Sequence, residues 1–303
     1  MNTELCFDYE AMKPVSMDDM EEIQRSLALS AYPSCEYSFP NLYIWAEVYG
    51  TVRSFFNGRL YVHMPSVDEL LFPCGEKPVP VRELAAVSRE LRAHSFSGTI
   101  AHVPPSYIAV HPELHEYFEP VPMGAENDEY IYLTRSLAEL PGGKLSKKRN
   151  LISQFERNYD SFELKRIEKE DFRTVISLTE HWRLEHLDDT RVENERKAIN
   201  RALEHYGQLG FDGLMLLAGG ELKAYAVFSR INFNSYTVQF EKADLDCKGA
   251  SQVITNQTAK YLLNRCEFIN REQDLGIPGL RHAKQSYMPV LMLRDYYLRP
   301  RAD

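Results

Sequence analysis

The sequence predicts an α+β protein of two domains, each a mostly antiparallel mixed sheet flanked by helices. Three observations predict it. A breaker cluster, Pro141-Gly142-Gly143, divides the 303 residues near their middle. The segments on its two sides follow a similar order of strand-period and helix-period patterns. Each half also carries a two-residue turn signal between alternating apolar residues. The expected division is 1–140 and 141–303, with one continuous mixed sheet as the runner-up topology.

The elements follow in order. "EAMKPVSMDDMEEIQRSLALS" reads as a strand and then a helix capped near Ser16. "VRSFFNGRLYVHMP" reads as a hairpin turning at Asn57-Gly58, "VRELAAVSRELRAH" as a helix and "TIAHVPP" as a strand. Past the breaker, Leu151, Ile152, Phe155 and Tyr159 recur on one helix face, with Lys144, Lys147 and Lys148 elsewhere. "FELKRIEKEDFRTVISLTEHW" repeats strand then helix. "GLMLLAGGELKAYAVFSR" is a hairpin turning at Gly219-Gly220, and "SQVITNQTAKYLLN" and "CEFIN" supply the next helix and strand. The order β-α-α-β-β-β-α-β is clearest in the second half.

Composition narrows the function classes. Hydrophobic residues make up 44% and charged residues 26%, normal for a globular protein with real cores. No apolar run reaches the ~20 residues needed to span a bilayer, and the N-terminus lacks a signal-peptide pattern, so a cytosolic (cytoplasmic) protein is expected. Cys6, Cys35, Cys74, Cys247 and Cys266 are scattered and odd in number, which argues for reduced thiols against a disulfide framework or a zinc site. The histidines show no metal-ligand spacing, so no metal is expected. A net charge of −9 disfavours generic nucleic-acid binding, DNA included, although residues 144–169 form a basic segment.

Chemistry-bearing residues concentrate near the C-terminus. In "YTVQFEKADLDCKGASQVI", Tyr236, Val238 and Phe240 alternate as in a strand with one buried face. Lys248, Gly249, Ala250 and Ser251 then open a helix. Free amides and the helix dipole there favour an anion such as a pyrophosphate; the alternative is a turn that needs only a small residue. Asn270, Arg271, Glu272 and Asp274 follow the next strand, and "PGLRHAKQSYMP" carries Lys284 and Tyr287.

This strand-helix-strand-helix unit resembles the acyl-CoA site of the GNAT fold. The resemblance implies a Gly-rich helix start that binds the CoA pyrophosphate, flanking strands that splay around the thioester, and Tyr287 as general acid to the leaving group. "YSFPNLYIWAEVYG", "KKRNLISQF", "EKAD" and "NREQDLGIPGLRHAKQSYMPV" resemble a bacterial family similar to the C-terminal domain of phosphatidylglycerol lysyltransferase, which is built from tandem GNAT-like domains. That domain moves an aminoacyl group from tRNA to a lipid headgroup. The segment departs from the lysyltransferases where Glu241-Lys242-Ala243-Asp244 replaces an Asp…Arg pair, and their membrane-spanning region has no counterpart here. Both departures point away from lipid aminoacylation and leave acyl transfer.

The resemblance implies a small-molecule or tRNA-borne acyl donor and an amine, hydroxyl or lipid-headgroup acceptor. Acyl-CoA is the implied cofactor. Glu241 and Glu272 would flank the site and take the acceptor proton, while Tyr287 or Lys284 would stabilise the departing group. Asn270, Arg271 and Asp244 would line the acceptor pocket. Lys147, Lys148 and Arg149 would hold phosphates of the substrate, their other reading being a solvated helix face. Asn270 to Glu272 also reads as a structural ion-pair knot, and Asp274 as a turn cap or a partner of Arg271. No covalent enzyme intermediate is implied. The alternative function is a binding protein that keeps the fold without turnover.

Overall fold

The computed structural model describes residues 7–29, 32–184 and 190–301; Cys6 lies outside them. The four cysteines among the described residues are free. No helix among the described residues is long and apolar enough to cross a membrane.

The chain begins with β1 (Lys13–Pro14), α1 (Met20–Leu27), α2 (Phe39–Tyr49), β2 (Val52–Phe56), β3 (Arg59–Met64), β4 (Glu69–Gly75), α3 (Val81–Ala93), β5 (Ile100–Val103), α4 (Pro105–Val110) and β6 (Phe118–Pro122). Next come β7 (Glu129–Leu133), α5 (Thr134–Glu139), α6 (Ser146–Asn158), β8 (Phe162–Arg166), α7 (Phe172–Leu184), α8 (Thr190–Glu204), β9 (Asp212–Ala218), β10 (Glu221–Arg230), β11 (Ser235–Ala243), α9 (Ala250–Leu262), β12 (Phe268–Asn270), α10 (Pro278–Gln285), β13 (Leu291–Leu293) and β14 (Tyr296–Pro300). The order β-α-α-β-β-β-α-β therefore runs from β1 to β5 and again from β8 to β12. Both turn signals form the expected hairpins. Phe56 pairs with Arg59 across Asn57 (φ 50°) and Gly58 (φ 72°), and Ala218 pairs with Glu221 across Gly219 (φ 62°) and Gly220 (φ 80°).

Each unit is built on one seven-stranded sheet. The first runs β1-β2-β3-β4-β5-β14-β6 and the second β8-β9-β10-β11-β12-β7-β13. In both, the fourth and fifth strands are parallel and the remaining neighbours for which a register is recorded are antiparallel. The sixth strand in each order comes from outside the run that builds the rest of the sheet. β7 follows β6 in sequence but belongs to the second sheet, and β14 follows β13 but belongs to the first. The compact units are thus the described parts of 1–32, 36–128 and 293–303, and of 33–35 and 129–292.

The boundary expected at 140/141 falls instead between Asp128 and Glu129, with a return at Met292/Leu293. The reason is burial. Tyr130, Ile131 and Tyr132 are each 1% exposed, and Ile131 to Leu133 pair with Asn270 to Phe268. The Pro-Gly-Gly breaker only separates α5 from α6.

Each sheet packs helices through its own core. In the first unit, Leu84, Val87 and Leu91 of α3 pack with Ile100, Phe118 and Leu298. In the second, Val253, Ile254 and Leu262 of α9 and Phe155 of α6 pack with Leu216, Phe228 and Ile269.

β14 lies between β5 and β6, and its Leu298 is fully buried. A chain lacking residues 295–303 should therefore lose hydrogen-exchange protection at Ile100–Val103 and Phe118–Pro122 while β9, β10 and β11 stay protected. Exchange read by mass spectrometry checks this; unchanged protection of the first sheet would refute the assigned role of β14.

Candidate active site

The second sheet opens at one place. β11 and β12 pair only through Ser235, Tyr236 and Thr237 with Phe268, Ile269 and Asn270. β11 then continues to Ala243 with no strand paired on that side. On its other side, Val227 pairs with Phe240 and Phe228 with Val238, so Gln239 is an extra residue, a β-bulge. The bulge changes the alternation. Tyr236 and Val238 pack in the α9-side core, and beyond the bulge it is Glu241 that faces α9, whose Thr255 hydroxyl lies 2.9 Å from Glu241 Oε1. Phe240, expected on the same face as Val238, is on the other.

Four further side chains gather on this face. Arg271, just past β12, reaches back across the opening and places Nη2 2.9 Å from Glu241 Oε1. Tyr287, just past α10, is 4% exposed and sets its ring 5.1 Å from the Arg271 guanidinium. Lys148 of α6 puts Nζ 4.1 Å from the centre of the same ring. Tyr132 of β7 donates its hydroxyl to the Lys284 carbonyl at 2.8 Å. The Tyr287 hydroxyl itself has no hydrogen-bond partner among the described residues. Thr255 is close enough to influence it, yet its single proton is directed to Glu241 or to the Ser251 carbonyl at 2.8 Å. Burial pushes the Tyr287 phenol up to about 12, so it is fully protonated at neutral pH. Burial and the Arg271 charge push Lys148 down from the ordinary lysine value. Burial opposes the Arg271 charge, but Glu241 and the neighbouring phenols outweigh it and hold its pKa above the usual value.

The remaining polar groups of the stretch hold backbone. Glu272 has φ +57°, a left-handed conformation that costs a non-glycine residue on the order of 1 kcal/mol. Its amide donates to Asn270 Oδ1 at 2.7 Å. Lys284, 7% exposed, donates to the carbonyls of Arg271 (2.6 Å), Glu272 (3.2 Å) and Gln273, which uses all three ammonium protons. Asn270 donates to the Pro33 carbonyl at 2.9 Å and to Glu129. Asp274 accepts from Tyr130 (2.6 Å), from Arg281 (2.7 and 2.9 Å) and from the Gly276 amide (2.9 Å). It caps the turn, as expected, but its ion pair is with Arg281 and not Arg271.

Several expected site residues do not converge on this cluster. Glu272 Oε1 accepts from Thr237 at 3.1 Å, and Thr237 lies between Tyr236 and Val238, on the opposite sheet face from Glu241. The two carboxylates therefore do not flank one space. Asp244 pairs with Lys223 at 3.1 Å and accepts from the Asp246 amide. Arg149 donates to the Leu140 and Gly142 carbonyls, closing the end of α5. Lys147 and Lys248 are exposed.

Gly249 is needed where it stands, at φ +94°, but for helix packing. A Cβ there would meet the Leu151 carbonyl at 2.5 Å and Phe155 Cβ at 2.9 Å. Ala250 is fully buried, its amide donates to the Cys247 carbonyl at 3.1 Å, and Ser251 lends its carbonyl to Thr255. α6 packs directly on this turn at Gly249. Thr255 was not among the expected residues, and Lys148 was expected as part of the basic run, off the apolar face. Lys148 stands four before Ile152 and seven before Phe155, on the apolar stripe itself, and Thr255 lies one turn after Ser251.

The first unit closes the corresponding places. Beyond the short pairing of β4 and β5, the Tyr37 hydroxyl bridges the carbonyls of Phe72 (3.0 Å) and His102 (3.4 Å). Between β4 and α3, Arg59 donates to the Lys77 (3.2 Å) and Pro78 (3.0 Å) carbonyls and to Glu83 (2.9 Å), and Glu83 also accepts from Tyr61. Among the described residues no group of His, Cys, Asp and Glu could hold a metal ion.

Residues 27–299 match the family described as phosphatidylglycerol lysyltransferase, C-terminal. A conserved Bacteroides thetaiotaomicron protein of unknown function has a crystal structure that superposes with TM-score 0.89 at 28% identity, covering 96% of this chain and 99% of that one. The C-terminal domain (DUF2156) of a candidate lysylphosphatidylglycerol synthetase from Agrobacterium fabrum gives TM-score 0.65 at 12% identity, covering 95% and 93%. L-PGS from Bacillus licheniformis gives 0.56 at 13%, covering 88% and 92%. At such identities the last two share the fold. An uncharacterized protein of Mycoplasmoides gallisepticum is 22% identical over 174 residues, and the chain spans about half, 55%, of that relative's length. The fold is α+β, two tandem GNAT-like units.

Two outcomes follow from the site's construction. Gly249→Ala should cost about 1–3 kcal/mol in urea unfolding, from the positive φ and the Leu151 carbonyl together; an unchanged midpoint would refute the packing reason for this glycine. Burial first, and the Arg271 charge second, push Lys284 down to about 8 from 10.5. Below about pH 8 folded and unfolded chains both carry that proton. Between about pH 8 and the unfolded value the unfolded chain binds more protons, so stability rises with pH across that window. The wild type should gain up to about 3 kcal/mol relative to Lys284→Met on going from neutral pH to about pH 10. Parallel pH profiles of the two proteins would show that Lys284 does not titrate in this way.

Proposed function

Because this chain belongs to the phosphatidylglycerol lysyltransferase C-terminal family, we propose that it transfers an acyl or aminoacyl group from an activated carrier to an amine or hydroxyl acceptor, using the second unit. The observation that carries the reading is the opening between β11 and β12, with Glu241, Arg271 and Tyr287 gathered on one face beside it.

The proposed roles follow from the geometry. The acceptor attacks the acyl carbon and a new C–N or C–O bond forms. Its proton passes to Glu241, whose Oε1 is engaged by Arg271 and Thr255, so Oε2 is the oxygen that receives it. The bond to the carrier then breaks, and the departing sulfur or oxygen takes the proton of Tyr287, a phenol that burial keeps protonated. Solvent exchange returns the proton from Glu241 to Tyr287. Arg271 fixes Glu241, and Lys284 fixes Arg271 through the backbone.

The close packing of α6 on Gly249 favours an aminoacyl ester over CoA as the donor. The same observation favours the second reading, a binding protein of this fold without turnover. The family's lipid headgroup is the acceptor to try first, followed by free amines.

Purified protein incubated with aminoacyl-tRNA or acyl-CoA and an acceptor panel decides between them. Glu241→Gln and Tyr287→Phe should each lower the transfer rate roughly 100-fold while donor affinity stays within a few-fold. Rates unchanged in both variants would remove the assigned roles. Donor binding with no transfer to any acceptor or to water would favour the binding protein.

A further inference from the structure

The α9-side face of the second sheet carries more positive than negative charge. Arg271 has Glu241 as its ion-pair partner. Lys148, partly buried, has no carboxylate and no hydrogen-bond acceptor for its ammonium among the described residues; its neighbour is the Tyr287 ring at 4.1 Å. Lys284 beneath them donates to backbone carbonyls, with Glu272 and Asp274 the carboxylates that act on it. Beside the two cations the Tyr287 hydroxyl, on a side chain 4% exposed, also lacks a partner.

A half-buried ammonium and a guanidinium on one face present what an oxyanion needs: charge of the right sign, and in Lys148 hydrogen-bond donors that no protein group among the described residues uses. Packing alone does not require a lysine at this position. Ile152 and Phe155 follow Lys148 on the same helix stripe, and a neutral side chain there would avoid the repulsion from Arg271.

We propose that Lys148, with Arg271, forms an oxyanion site that takes a phosphate group of the acyl carrier. The proposal rests on the transferase reading for the word carrier, but the anion site itself does not need transfer to occur. It moves phosphate recognition away from the turn at Gly249, which α6 packs against, and onto α6. It also separates Lys148 from its neighbours in the basic run, since Arg149 is spent on carbonyls and Lys147 points to solvent.

Isothermal titration calorimetry of the full chain with inorganic pyrophosphate, with CoA, and with a tRNA acceptor-stem minihelix ending in CCA tests it. At least one should bind, and Lys148→Gln should weaken that binding about tenfold, the loss of one charge-assisted contact. Lys147→Gln should leave it within about twofold. Binding of CoA alone or of the minihelix alone identifies the carrier. The ligand-free Lys148→Gln protein should melt at or above the wild-type temperature, because an unmatched cation has been removed; a purely structural lysine would give a lower one. No binding by any probe, or equal losses in both variants, overturns the site. Binding that depends on Lys148 in a protein that transfers nothing would keep the site and discard the transferase.

Discussion

The backbone after β12 is held with Glu272 against its own preference, and the side-chain arrangement of the candidate site depends on it. With Glu272 in a left-handed conformation, Arg271 is directed to the α9 face while the Glu272 side chain goes to the opposite face, against Thr237. A free chain would relax. Here Lys284 gathers three successive carbonyls, Asn270 anchors the strand end to Glu129, and Asp274 closes the following turn with four donors. Each contact is modest in net worth, about 1 kcal/mol for a neutral hydrogen bond and more where a charge takes part. Together they exceed the conformational cost at Glu272, so the geometry of Arg271 is determined before any ligand arrives.

Both units are built on one plan, with the same strand order and the same displaced sixth strand. They differ in how they fill it. The first closes its strand opening with Tyr37 and its strand-to-helix turn with the Arg59–Glu83 pair, both members under 10% exposed and richly hydrogen-bonded. A buried ion pair is no assurance of stability, since desolvation offsets much of the attraction. It does leave no unmatched charge. The second unit packs α6 on its turn yet retains two cations facing one carboxylate. One plan thus yields a unit with its buried charges matched and one with a surplus cation, and the difference lies in a few side chains.

How far the sequence discloses this varies with the range of the interaction involved. Asn57-Gly58 and Gly219-Gly220 impose their hairpins locally, and the repeated element order follows from periodicity. The exchange of β7 and β14 was not legible. A strand's choice of sheet is decided by side chains more than a hundred residues away, as Ile269 facing Tyr132 illustrates. The bulge at Gln239 was hidden because Tyr236, Val238 and Phe240 alternate perfectly in sequence, while one extra residue transfers Phe240 to the other face and delivers Glu241 to this one. At Gly249 the residue type correctly signalled a special backbone; what approached it was the Leu151 carbonyl and not a phosphate. Lys148 was legible in principle, because a lysine on an apolar stripe contradicts the stripe.

That contradiction bears on why the cluster exists at all. A cation over an aromatic ring recovers roughly 0.5–2 kcal/mol, which does not cover the loss of hydration plus the repulsion from the Arg271 guanidinium. The depressed Lys148 pKa expresses the same deficit as a tendency to shed the proton. Local inconsistency of this kind, in a unit whose other buried charges are carefully matched, is where a folded chain trades stability for reactivity. The deficit is repaid only when an anion arrives. Once bound, that anion would raise the Lys148 pKa and screen it from Arg271. Arg271 would then hold Glu241 under less strain, and the Tyr287 proton would face a leaving atom in place of an empty space. On the proposed reading, carrier binding and readiness for proton transfer would be the same electrostatic event.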